Sequence, residues 1–80
     1  MTEIGRVTHY YSKIEVAVVH LKAPLKVGDT IVIKGSTTNL EQTVDSVEIE
    51  HENVEKAEAG QSVGLKVKGK VRENDLVFKK

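Results

Sequence analysis

At 80 residues the chain is the size of one small domain, and a single unit over residues 1–80 is expected. It has no cysteine, which excludes disulfides and thiolate metal sites and leaves stability to the core or a partner. Twelve basic and twelve acidic groups cancel, so only a local basic surface can attract nucleic acid.

The zero balance hides a segregation. Residues 1–40 carry five basic and three acidic groups, residues 41–60 one basic and seven acidic, and residues 61–80 six basic and two acidic. The start, Met1-Thr2-Glu3-Ile4-Gly5, has neither the basic end nor the apolar run of a signal peptide. The longest apolar run, Val16-Ala17-Val18-Val19, is far short of a membrane span. A soluble cytoplasmic protein is the expectation.

In chain order, Ile4 to His9 reads as a first strand, with Tyr10-Tyr11-Ser12-Lys13 as its connection. Ile14 to Leu21 is rich in β-branched residues, and both of its alternating sets include apolar side chains, which suits a central strand. Pro24 falls in the loop before Leu25, where it removes no ladder hydrogen bond. Val27-Gly28-Asp29 is a tight turn leading to a strand over Thr30 to Lys34. Gly35-Ser36-Thr37-Thr38-Asn39 is a polar loop.

Leu40 to Glu50 reads as one long strand whose apolar phase slips near Asp45-Ser46, as a bulge would cause. Ser62 to Lys68 places Val63, Leu65 and Val67 on one face, and Leu76 to Phe78 is the last strand. The nearest helical candidate, Val54 to Ala59, is short and ends at Gly60. Six short strands at roughly even spacing predict an all-β fold, a small closed six-stranded β-barrel without exposed edges.

Four segments in order carry a family resemblance. They are Gly5-Arg6-Val7, Leu25-Lys26-Val27-Gly28-Asp29, Gln42-Thr43-Val44-Asp45-Ser46-Val47 and Ala59-Gly60-Gln61-Ser62-Val63-Gly64-Leu65. Their sequence and spacing resemble domain 2 of elongation factor Tu and its relatives, the translation-protein barrel. The resemblance implies a closed six-stranded barrel that contacts ribosomal RNA or the acceptor end of tRNA and packs against a larger domain. Similar barrels end collagenase-like peptidase-family proteins, some of which act in RNA modification. Where the family usually closes its last hairpin with Arg-Gly, this chain has Arg72-Glu73-Asn74-Asp75, and no tRNA-contacting residue is carried over.

Chemistry-bearing patterns are sparse. Lys34-Gly35-Ser36-Thr37 holds phosphate-loop residues in the wrong order with no following helix, so no nucleotide is expected. His9, His20 and His51 lack a short-range ligand pair, so no metal or other cofactor is expected. No serine sits in a nucleophile turn, and Glu48, Glu50 and Glu52 alternate as a solvated strand face. An enzyme is not expected.

The best functional candidate is a basic stripe. On one strand, Lys66, Lys68 and Lys70 share a face with about 7 Å between successive positions, and Arg72 extends the row. Such a row suits a phosphate backbone, and Tyr10 and Tyr11 suit stacking of an unpaired base. The same lysines instead suit cross-strand pairing with Glu48 and Glu50. Two partners follow from these readings: RNA, as tRNA or the ribosome, or a larger protein on which the module docks.

Overall fold

The computed structural model describes residues 1–80 and contains only strands and turns. The first strand, β1 (Thr2–Tyr11), pairs antiparallel with β2 (Val16–Leu21) across a short turn. Two irregularities, between Glu3 and Gly5 and between Val7 and His9, kink β1. Each inserts an unpaired residue and bends the ribbon, which lets the sheet curl.

Next come β3 (Leu25–Lys26), the Gly28 turn, β4 (Thr30–Lys34) and β5 (Asn39–Thr43). Gly28 has φ 97°, a left-handed conformation that glycine adopts without steric penalty. Asp29 closes that turn by accepting the Lys26 N–H at 3.0 Å. The remaining strands are β6 (Val47–Ile49), β7 (Glu52–Val54), β8 (Lys56–Ala57), β9 (Ser62–Lys66) and β10 (Leu76–Lys79). Eight of them form one sheet in the order β5-β4-β10-β1-β2-β9-β6-β7, and β3 and β8 form a separate pair.

The all-β expectation holds, but the closed six-stranded barrel does not: the sheet has two ends, β5 and β7, that do not pair with each other. Two departures from regular strand explain this. The long strand over residues 40–50 is in fact two, because Val44 turns inward and hydrogen-bonds with the Gly28–Asp29 turn. That break sends β6 away from β4 and β5 and onto β9. The strand expected through Lys68 stops at Lys66, so residues 67–75 form an extended loop rather than a pairing partner for β5.

One side chain spans the resulting seam. Gln42 on β5 is 6% exposed. Its Nε2 donates to the Lys66 carbonyl at 2.9 Å, and its Oε1 accepts the Lys68 N–H at 2.8 Å. The side-chain amide thus makes the two bonds that a neighbouring peptide group would make in a ladder.

The core lies inside the curl. Ile4, Val7, Val19, Leu21, Ile31 and Ile33 are no more than 1% exposed. Val63, Leu65, Val67 and Val71 join them, as the alternation in the sequence predicts. The β2 strand is central, with β1 on one side and β9 on the other. No helix is present, so none is long and apolar enough to cross a membrane.

Candidate binding surface

The predicted basic stripe is dispersed. Only Lys66 lies on β9, while Lys68, Lys70 and Arg72 fall in the loop that follows, so the regular strand spacing is lost. The Lys66 ammonium donates to the Ile14 carbonyl at 2.9 Å. Lys68 lies 3.9 Å from Asp45, with both side chains 63% exposed. None of the ion pairs involves Glu48 or Glu50, so the alternative of cross-strand neutralisation does not form. Lys70 and Arg72 are exposed and have no carboxylate partner.

The tyrosines are also relocated. Both belong to β1 rather than to its turn, where successive side chains point to opposite faces. Tyr10 is half-buried against the core. Tyr11 is 49% exposed, and its ring lies 4.3 Å from that of His9. His9 in turn meets Glu73 at 3.1 Å. The three histidines do not converge, and no group of three potential metal ligands occurs.

A different surface shows more built shape. On the outside of the curl, β2 presents Val16 and Val18, β9 presents Gly64 and β6 presents Glu48. In register, Val18 faces Gly64 and Gly64 faces Glu48. Gly64 has no side chain, so the middle of this row is sunken. The depression is about 270 Å³, with Tyr11 and Ile14 at one end and Glu48, Glu50 and His51 at the other.

Ile14 is 57% exposed, so with Tyr11 it places two large apolar side chains in solvent beside the groove. The acidic end is made by a hairpin missed in the sequence. There β6 and β7 meet through a two-residue turn, Glu50-His51, with φ 50° and 67°. Glu50 and Glu52 therefore do not continue a straight solvated strand with Glu48, as the alternation suggested. Turn chemistry gave no signal for this hairpin, because Asn-Gly rather than Glu-His normally marks such turns.

Comparisons with known proteins agree with the fold. The family model for elongation factor Tu domain 2 matches residues 24–77. The chain is 48% identical over 77 residues to an uncharacterized protease of Methanocaldococcus jannaschii, covering 95% of the chain and 19% of that protein. It is 38% identical over 80 residues to a collagenase of Porphyromonas gingivalis, covering 98% of the chain and 22% of the collagenase. The chain therefore spans about a fifth of the length of these relatives.

Among solved structures, the C-terminal domain of a protein assigned to the U32 peptidases, from Geobacillus thermoleovorans, superposes with a TM-score of 0.92. The likeness covers 99% of this chain and 92% of that one at 22% identity, which bears on fold alone. The ordered glycine turns, the curled all-β sheet and the match over residues 24–77 have one conclusion: the chain belongs to the elongation factor Tu domain 2 family.

Proposed function

We propose that this chain is a non-catalytic docking module that works with a larger protein of the U32 peptidase type. The observation that carries this reading is the pattern of likeness. Relatives up to 48% identical match nearly all of this chain with only a fifth of their own length, and the matching fold occurs as a C-terminal domain. The chemistry is left to the remainder of such proteins. The outer face of β2, β9 and β6 supplies apolar and charged side chains for docking.

The test is capture with the tagged chain from nuclease-treated lysate of the source cells, followed by mass spectrometry. A stoichiometric protein partner that survives nuclease supports the reading. An association that disappears with nuclease opposes it.

A second reading is RNA contact through Lys66, Lys68, Lys70 and Arg72, with Tyr11 stacking on a base; Tyr10, on the opposite face of β1, is left to the core. It is favoured by Lys70 and Arg72, which no carboxylate neutralises. Binding of tRNA that weakens as salt rises, and that is lost when these lysines become alanine, would support it. Absence of binding at low salt would end it.

A further inference from the structure

The floor of the outer groove is a glycine that its own backbone does not require. Gly64 is in the middle of β9, paired on both sides, and its φ is not in the left-handed region. A β-carbon added there would meet Val16 Cγ1 at 3.3 Å and Glu48 Cβ at 3.8 Å, with no backbone atom in the way. Val16 is only half-buried and borders the same groove, so it has room to shift. A strand interior ordinarily gains from a side chain, and a glycine in one marks a bulge, a tight bend or a close approach by a ligand or another backbone; no bulge interrupts the pairing of β9 with β2 at Gly64.

The rim departs from local preference in a similar way. Glu50 and His51 both hold left-handed conformations that Asn-Gly would adopt with less strain. Their side chains line the groove, whereas Asn-Gly would leave that rim short and uncharged. Two local choices that disfavour the fold thus shape one surface.

Charge then selects the occupant. Glu48, Glu50 and Glu52 form no ion pair; all three lie on the β6–β7 hairpin at one end of the sheet, and Glu48 and Glu50 line the groove. The floor between that hairpin and Ile14 is apolar. We infer that this groove seats a basic segment of a protein partner, one that inserts an aliphatic or aromatic side chain over Gly64 while flanking lysines or arginines face Glu48 and Glu50. The inference rests on the docking reading above and specifies its surface.

The test is an NMR titration of the isotope-labelled chain with a short synthetic peptide that alternates lysine with leucine and phenylalanine. Two control peptides replace lysine by glutamate, or leucine and phenylalanine by glycine. Saturable amide shifts at Ile14, Val16, Val18, Gly64 and Glu48, seen with the first peptide alone, are expected. Glu48→Lys combined with Glu50→Lys should weaken binding roughly tenfold, as loss and reversal of facing charges would. Gly64→Val should abolish binding while the rest of the spectrum stays folded. Gly64→Ala provides the milder version if valine disturbs the sheet.

Equal response to the glutamate peptide, shifts confined to Lys70 and Arg72, or unchanged binding by Gly64→Ala would each overturn the assignment. Binding of poly(U) at the groove in place of the peptide would overturn it too. Lysate capture separates the two levels of inference. A partner held equally by wild type and Gly64→Val overturns the groove and leaves docking intact, whereas no protein partner at all overturns both.

Discussion

Replacing Gln42 by leucine tests whether a single amide holds the open seam of this sheet. Leucine keeps most of the volume but removes both bonds, the one donated to the Lys66 carbonyl at 2.9 Å and the one accepted from the Lys68 N–H at 2.8 Å. Each such bond is worth about 0.5–1.5 kcal/mol net, and each backbone group left unpaired adds about 1–3 kcal/mol where water cannot reach it. The site is part-buried, so water recovers some of this. A loss of about 2–3 kcal/mol is expected, out of a total on the order of 5 kcal/mol for a domain this small.

Urea unfolding should show a lower midpoint at unchanged slope, and hydrogen exchange should show the Lys68 amide losing its protection. Gln42→Glu adds a sign test. The introduced carboxylate still accepts the Lys68 N–H but opposes the Lys66 carbonyl oxygen. Its charged form is therefore disfavoured, and its folded pKa lies above the unfolded value. The cost is fully present above the folded pKa and shrinks as pH falls through it, because the protonated acid donates to Lys66 again. A leucine variant within about 0.5 kcal/mol of wild type, or a glutamate variant that worsens on acidification relative to wild type, would refute the role given to Gln42.

Three further substitutions have definite signs. Gly5→Ala places a carbon 2.6 Å from the His20 carbonyl oxygen and 2.9 Å from Val19 Cγ1, which forces β1 and β2 apart. Overpacking of this kind should remove about 1–3 kcal/mol, measured as a lower thermal midpoint. Glu50→Asn with His51→Gly should raise stability by about 0.5–1 kcal/mol in the same assay by relieving two left-handed residues. Asp75→Ala should remove about 1–3 kcal/mol, because the 6% exposed carboxylate accepts the Arg72 N–H at 2.9 Å, and exchange at the Arg72 amide reports it directly.

The sequence read the core more readily than the joints. Alternation of Val63, Leu65 and Val67 placed three side chains inside, and the doubly apolar run from Ile14 marked the central strand, because burial follows directly from hydrophobic period. The Gly28 turn was legible because only a few residues favour its conformation. The Glu50-His51 hairpin was not, since neither residue prefers positive φ and the strands it joins are three residues long.

The seam was hidden for another reason. Glutamine at position 42 reads as an ordinary polar strand residue until the opposite loop is in place. The lysine stripe failed at one step, the assumption that strand period continues past Lys66. The chain instead leaves the sheet there, and only the apolar phase survives: Val67 and Val71 stay buried, with the Val67 N–H bonded to the Glu15 carbonyl at 2.9 Å.

The charge segregation is better understood once the partners of each group are known. The sequence leaves open whether the lysines of the basic stretch over residues 61–80 pair with Glu48 and Glu50 of the acidic stretch over residues 41–60; in the structure the two stretches meet in part. They do so only at Lys68 with Asp45 and Lys80 with Glu41. Exposed pairs of this kind contribute at most about 1 kcal/mol, so the fold does not depend on the remaining charges. Glu48 and Glu50 therefore stand free beside an apolar groove for reasons that stability does not supply. Lys70 and Arg72 stand free on the loop after β9 in the same sense. A surface left uncompensated beside a depression kept open by Gly64 has the features of a docking face. A loop with two free cations and no depression has only charge, and a charge without shape selects weakly among polyanions. That difference is why the groove, rather than the lysines, carries the more specific reading of this domain.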